Sequence, residues 1–287
     1  MIKKLTIFGV GLIGGSLALS LKKASYCEQI VGCSRSEAHL QRAVELGVID
    51  DYTLDPVAAV EGADIVLLAV PIRAIPPILK TIVPHLGANT IVTDAGSAKG
   101  SVLAAAKEAY DGVLPPNFVA GHPIAGREKS SVEAAIDDLY VDHKVILTPT
   151  SETSSEAVLK IKEMWQITGA TVETLAVKQH DDVLAATSHL PHVLAYSFVN
   201  TLSKSEYGDA VFDYTAGGFA SFSRTASSDP VMWRDICLDN KTAILSVLDN
   251  FQKDLTELRN TIQNEDADEI EQLFAKAKAT RDSIIKS

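Results

Sequence analysis

The chain has little from which to build a covalent or metal-held framework. Among its 287 residues are three cysteines, and Cys27, Cys33 and Cys237 form no C-x-x-C pair. That odd, scattered set excludes a disulfide scaffold and indicates no zinc site; no metal is expected, and a reducing compartment is. Long apolar runs are also missing, since none approaches the roughly 18 residues of a membrane span. Lys3 and Lys4 precede an apolar stretch in the manner of a secretory signal. Gly9, Gly11, Gly14 and Gly15 nevertheless stand where its continuous apolar core should be. A soluble, cytoplasmic protein is expected. Positive charge is scarce too. Lys and Arg total 26 against 37 Asp and Glu, a net charge of −11, which argues against nucleic acid or an anionic membrane as a partner. An anionic small molecule would have to find a local cationic pocket.

What is present is alternation. Short β-branched runs at Leu5–Gly9, Gln29–Cys33, Ile65–Ala69, Thr90–Asp94, Phe118–Ala120, Val145–Thr148 and Thr171–Leu175 read as strands. Helical stretches lie between them, at Gly14–Lys23, Glu37–Leu46, Lys99–Ala109 and Ser154–Ile167. Strands that alternate with helices make a parallel sheet. Near Val177 the character changes, and helical periodicities take over at Asp181–Ser203, Met232–Asn264 and Asp266–Ile285. The glycine- and serine-rich segment Tyr214–Ser228 reads as a loop between them. Long amphipathic helices in a small region call for a partner to cover them, so a homodimer is expected.

Ile7-Phe8-Gly9-Val10-Gly11-Leu12-Ile13-Gly14 fits strand, then G-x-G-x-x-G, then helix. In that arrangement Gly9 makes the tight turn, Gly11 lets the backbone meet a pyrophosphate, and Gly14 lets the helix pack on the strand. The phosphates would rest at the helix N-terminus, beside Leu12 and Ile13. The end of the second strand then discriminates between dinucleotides. A carboxylate there would bind the ribose 2′-OH of NAD. This chain instead has Ser34-Arg35-Ser36 after Cys33, a cation between two hydroxyls, which suits the 2′-phosphate of NADP. NADP is favoured, with NAD possible. Val70 and Pro71, after the third strand, are expected to border the cofactor. The expected fold is an α/β Rossmann-type dinucleotide-binding domain, residues 1–176, followed by an all-α dimerisation domain, residues 177–287.

Val119-Ala120-Gly121-His122-Pro123-Ile124-Ala125-Gly126 locks a histidine between glycine and proline where a strand meets a loop. Ligands bind at that carboxyl edge in parallel sheets, so His122 is a candidate catalytic residue. Thr93-Asp94-Ala95-Gly96-Ser97-Ala98-Lys99 places Ser97 on the same edge. Ser188-His189-Leu190-Pro191-His192, Ser223-Arg224-Thr225 and Asp229-Pro230-Val231-Met232-Trp233-Arg234-Asp235 add histidines, a cation and an aromatic ring. Singly, each of these reads as structural.

Together, in this order and spacing over nearly the whole chain, they resemble the prephenate/arogenate (cyclohexadienyl) dehydrogenase family of tyrosine biosynthesis. The resemblance implies oxidative decarboxylation of prephenate to 4-hydroxyphenylpyruvate, or of arogenate to tyrosine, with hydride transfer to a nicotinamide dinucleotide. It assigns His122 and Ser97 to the ring hydroxyl, Arg224 to a substrate carboxylate, His192 and Trp233 to the pocket wall, and Glu128 to its mouth. Arg127 stands where relatives carry a small residue; it either adds positive potential for the substrate or is simply exposed. Two other readings remain open. A decarboxylating β-hydroxyacid dehydrogenase shares the two-domain layout but relies on a catalytic lysine motif that does not stand out here. A non-catalytic NADP-sensing dimer would bind cofactor without turnover.

Overall fold

The computed structural model describes residues 1–127 and 129–285. Residues 1–241 form one compact unit and those from 242 onward a second. The first unit opens with β1 (Ile2–Phe8), α1 (Leu12–Lys23), β2 (Cys27–Cys33), α2 (Glu37–Glu45), β3 (Asp51–Thr53) and α3 (Pro56–Val60). β4 (Ile65–Leu68), α4 (Ile75–Ile82), β5 (Ile91–Asp94), α5 (Lys99–Ala109) and β6 (Phe118–Val119) follow. The six strands pair in the order β3-β2-β1-β4-β5-β6, all parallel. This is a Rossmann-type sheet, and its strand order reverses between β1 and β4, where a crevice opens at the carboxyl ends. Side chains alternate across it. Leu5, Ile7 and Leu67 enter one core, which includes Leu17, Ile161 and Trp165. Phe8, Val66 and Leu68 enter the other, with Leu79 and Val102. Both faces are therefore covered, as parallel sheets require.

The chain turns away from this sheet at Ala120. β7 (Gly121–Ile124) pairs antiparallel with β8 (Lys144–Leu147), which pairs parallel with β9 (Thr171–Thr174) across α6 (Ser155–Gln166). His122 thus sits inside a strand of a second sheet rather than at a strand-to-loop junction. The run Phe118–Ala120 is correspondingly only half of a broken strand pair. In α6 the spacing Ala157, Ile161, Met164 and Trp165 is buried along one face, and the Ser154 hydroxyl caps its start by accepting from the Ala157 N–H at 3.1 Å.

Helices follow. α7 (Val177–Leu184) runs through a wide turn at Ala185–His189 into α8 (Leu190–Ser203). Pro191 explains the widening, because it has no N–H to offer the carbonyl four residues earlier. α9 (Gly217–Ser223) and a tight turn at Arg224–Ser227 occupy the segment expected to be a loop. Packing overrode the glycine and serine content there: Phe219 and Phe222 lie with ring centroids 5.9 and 5.4 Å from Phe198 of α8. Nor is Met232–Asn264 one helix. α10 (Pro230–Asp239), capped by the Asp229 carboxylate on the Met232 N–H at 2.7 Å, is separated from α11 (Lys241–Gln263) at the buried Asn240. α12 (Ala267–Ile285) closes the chain's described part. Among the described residues no helix is long and apolar enough to cross a membrane.

Candidate active site

The glycine loop has the shape of a dinucleotide cradle. Gly9 adopts φ +88°, and a Cβ on it would lie 2.3 Å from the Ala69 carbonyl oxygen. A Cβ on Gly14 would lie 2.4 Å from the Gly9 oxygen and 2.7 Å from Ile7, so α1 can approach β1 only through glycine. No side chain caps α1 and no acid occupies its first turn. The Leu12 N–H instead donates to the Ser130 carbonyl at 3.0 Å. That oxygen stands where an anionic phosphate oxygen would bind, and the donor set fits a pyrophosphate. His39 of α2 bonds the Val10 carbonyl at 2.9 Å and ties the loop to the second helix. Val70 borders Gly9, with its Cγ1 2.9 Å from the position of a Gly9 Cβ, and Pro71 leads into the short turn Ile72–Ala74.

Beyond β2, the Ser36 hydroxyl caps α2 by accepting from the His39 N–H at 3.4 Å, and Ser34 and Ser36 bond each other at 3.3 Å. Arg35 between them is exposed. Two nearby acids are committed elsewhere, Glu37 to the Tyr52 hydroxyl at 3.3 Å and Asp55 to the Val57 N–H at 2.9 Å.

A second cluster gathers at the ends of β5 and β6. His122 Nδ1 lies 2.9 Å from His180 Nε2, and His180 Nδ1 lies 2.8 Å from Asp181 Oδ1. Asp181 is held by the first N–H groups of α5: Lys99 N–H donates to Oδ1 and Gly100 N–H to Oδ2, each at 2.8 Å. The Lys99 ammonium is wholly buried, paired with the Asp94 carboxylate, and donates to the Gly121 carbonyl at 2.5 Å. Asp94 also accepts from the Gly96 and Gly121 N–H groups at 2.7 and 3.1 Å. Asn240 donates to the Asp181 carbonyl at 2.8 Å and contacts His189 Nδ1 at 3.1 Å.

The electrostatics follow from this packing. Burial, then the positive charge of Lys99, and then the His180 and His189 rings hold the His122 pKa well below the ordinary imidazole value. His189 is pushed down to about 4, mainly by burial. Burial pushes the Asp181 carboxyl up, but hydrogen bonds from His180, Lys99 and Gly100 outweigh it, and the net shift is downward. At neutral pH the cluster is thus a neutral base in front of a fixed carboxylate.

The helical side of the cluster carries Trp233, whose ring stacks on His192 at 3.7 Å and meets His189 edge-on at 6.1 Å. His192 Nδ1 donates to the Ser188 carbonyl at 2.8 Å. Burial, only partly offset by the hydrogen bond to the Ser188 carbonyl and joined by the nearby Arg224 charge, leaves His192 below its ordinary pKa. The buried Trp233 Nε1–H has no partner among the described residues. An orphan donor of this kind suits a ligand acceptor. Arg224 is exposed at the turn after α9, and Arg127 is exposed beyond β7. Glu128 lies outside the described residues. Ser97 falls between β5 and α5, but the bond that orients the His122 ring comes from His180 instead.

Comparisons with known proteins agree with this layout. Residues 17–174 match the family profile described as prephenate dehydrogenase, nucleotide-binding domain. Residues 176–276 match prephenate dehydrogenase, dimerization domain. The chain belongs to the prephenate dehydrogenase family. Its cyclohexadienyl dehydrogenase relative from Zymomonas mobilis is 38% identical over 97% of this chain and 95% of its own. The Bacillus subtilis prephenate dehydrogenase is 37% identical over 96% of this chain and 74% of its own. A crystal structure of the Aquifex aeolicus prephenate dehydrogenase, in complex with hydroxyphenyl propionate and NAD⁺, superposes with a TM-score of 0.93 at 37% identity, covering 99% of both chains. The fold is that of the family, a nucleotide-binding sheet domain followed by a helical dimerisation domain.

Three polar residues of this candidate site escape a reading of the sequence: His180, Asp181 and Asn240. Asp94 and Lys99 are visible there only as parts of one motif. His180-Asp181 offers one usable signal, a histidine and an acid side by side in a helix.

Proposed function

We propose that the chain catalyses the oxidative decarboxylation of prephenate, arogenate or both, with NADP as hydride acceptor. The observation that carries this reading is the His122 imidazole beyond the end of β6, 2.9 Å from His180, which in turn lies 2.8 Å from Asp181. When bound, the nicotinamide supplies the site that takes the hydride from the hydroxyl-bearing ring carbon. His122 accepts the hydroxyl proton as the carbonyl develops. Loss of the ring carboxylate as CO₂ returns the electron pair to the ring, and the proton goes back to the new phenol oxygen. Ser97 bonds the same hydroxyl, while Arg224 holds a substrate carboxylate beside His192 and Trp233. Glu128 and Arg127 border the entrance. The glycine loop, Ser34, Arg35, Ser36, Val70 and Pro71 hold the cofactor. Division of the chain at residue 176, cofactor before and substrate or dimer after, belongs to the same reading.

Reduction of NADP⁺ followed by absorbance, with prephenate and arogenate offered separately, tests it. Turnover with neither would favour the cofactor-sensing alternative. The two substrates differ at one side-chain carbon, keto against ammonium. The serines beside Arg224 are neutral, which favours prephenate or use of both.

The Aquifex aeolicus relative holds NAD⁺, so the preference for NADP rests on Arg35 and its flanking serines. Arg35→Ala with Ser34→Asp is expected to weaken NADP and improve NAD, because a carboxylate repels the 2′-phosphate and binds the free 2′-OH. A parent enzyme that already uses both equally well would overturn this assignment.

Arg224→Ala is expected to raise KM about ten- to a hundredfold with little change in kcat. A carboxylate remote from the reacting carbon is held equally in ground and transition states. A charge-assisted hydrogen bond is worth about 1.5–3 kcal/mol. Lysine would restore only part, lacking the bidentate fork. An unchanged KM would transfer the role to Arg127.

A cytoplasmic homodimer is part of the same proposal. Cys27, Cys33 and Cys237 are all free thiols, and the match to the family's dimerization domain spans the helical part. Leu255, Ile262, Leu273 and Phe274 of α11 and α12 are exposed apolar residues. Light scattering on the purified protein would report two copies.

A further inference from the structure

We infer that His180 and Asp181 form a positioning relay that fixes His122 as its Nδ1–H tautomer and leaves Nε2 as the base. The inference rests on the assignment of His122 as base, which His122→Asn tests separately. Its logic starts at the fixed end. Asp181 accepts from two backbone N–H groups of α5, so its oxygens can only be acceptors. His180 Nδ1, 2.8 Å from Oδ1, therefore carries the proton and donates. Taken as the Nδ1–H tautomer that this contact selects, the wholly buried His180 ring presents Nε2 as an acceptor. His122 Nδ1, 2.9 Å away, must then donate to it. One lone pair remains on His122, at Nε2.

Asn240 does the same for the neighbouring histidine. Its amide nitrogen faces the Asp181 carbonyl and so donates, and the same nitrogen meets His189 Nδ1 at 3.1 Å. His189 is thereby held with its proton on Nε2. It cannot compete for the proton of His180.

The relay also bears on charge. The groups facing His122 are Lys99 with its partner Asp94, His180, His189 and, through His180, Asp181. When His122 takes the hydroxyl proton it becomes an imidazolium, and its Nδ1–H bond to His180 strengthens. The negative charge in line with it, through His180, is that of Asp181. The histidine is thus shifted toward neutrality at rest and supported once protonated. The proton itself stays on His122 until it returns to the product oxygen, and His180 keeps its own throughout.

Two variants and one spectroscopic measurement test the relay. Nitrogen-15 NMR of histidine-labelled protein distinguishes protonated from unprotonated ring nitrogens. Wild-type His122 is expected to show a protonated Nδ1 and an unprotonated Nε2. The reverse pattern would overturn the inference without any reference to activity. In His180→Phe, a flat ring that cannot accept, His122 should lose that bias and kcat should fall about 10²-fold. Substrate KM and dinucleotide affinity should hold. In His180→Gln the carboxamide oxygen can accept the Nδ1–H bond, so kcat should lie well above that of the phenylalanine variant. A purely structural ring would give the opposite ranking, with phenylalanine the better replacement, and that ranking would overturn the relay.

Discussion

Replacing His122 with asparagine should lower turnover by about 10²–10⁴-fold, the usual worth of a general base, and leave dinucleotide affinity nearly intact. Asparagine, though smaller, keeps a polar atom on the Cγ toward His180, and the strand β7 that carries it is fixed by its pairing with β8. Stability should therefore change little. Turnover close to wild type in the variant would remove His122 from the chemistry. The pH profile gives a second check. The folded pKa of His122 is depressed, and the neutral form is the active one. The kcat/KM of the parent should stay flat through neutrality and fall only on acidification below the usual histidine range near 6.5. A limb that begins to fall above that value would contradict the burial and the Lys99 charge that depress it.

Sequence patterns made the sheet readable because both determinants were local. Ile65–Leu68 is a continuous apolar run, and all four side chains are buried. Gly9 and Gly14 stand at a spacing that only a tight turn under a close helix explains. The break after Ala120 was not legible for the opposite reason. Gly121–Ile124 looks like the tail of one strand, but its partners, residues 144–147, lie in a different sheet. The helical part misled where tertiary contacts outweighed composition. Gly217 and Gly218 begin a helix because its phenylalanines have Phe198 to pack on. His180 was unremarkable as text, since its meaning depends on a ring 58 residues earlier in the chain. Motifs revealed which residues carry chemistry, and only the folded geometry revealed which residues orient them.

Lys99→Met should cost about 3–5 kcal/mol of stability, the usual penalty for breaking a buried ion pair by removing one partner. Lys99 and Asp94 are both fully buried, and the ammonium also satisfies the Gly121 carbonyl. Removing it leaves a carboxylate facing only the Gly96 and Gly121 N–H groups, and a carbonyl with no donor in its place. Burial already lowers the pKa of Lys99, so the wild-type pair itself carries a desolvation cost that Asp94 only partly offsets. The double variant with Asp94→Asn should therefore recover a good part of the loss, because no net charge is then left unpaired. Denaturant unfolding of the three proteins measures both quantities. Chemistry should respond in its own direction. Lys99 is one of the charges that depress His122, so in the single variant the acid limb of kcat/KM should move to higher pH. A stability loss with an unmoved limb would mean that Lys99 supports the fold at this edge of the sheet without tuning the base above it.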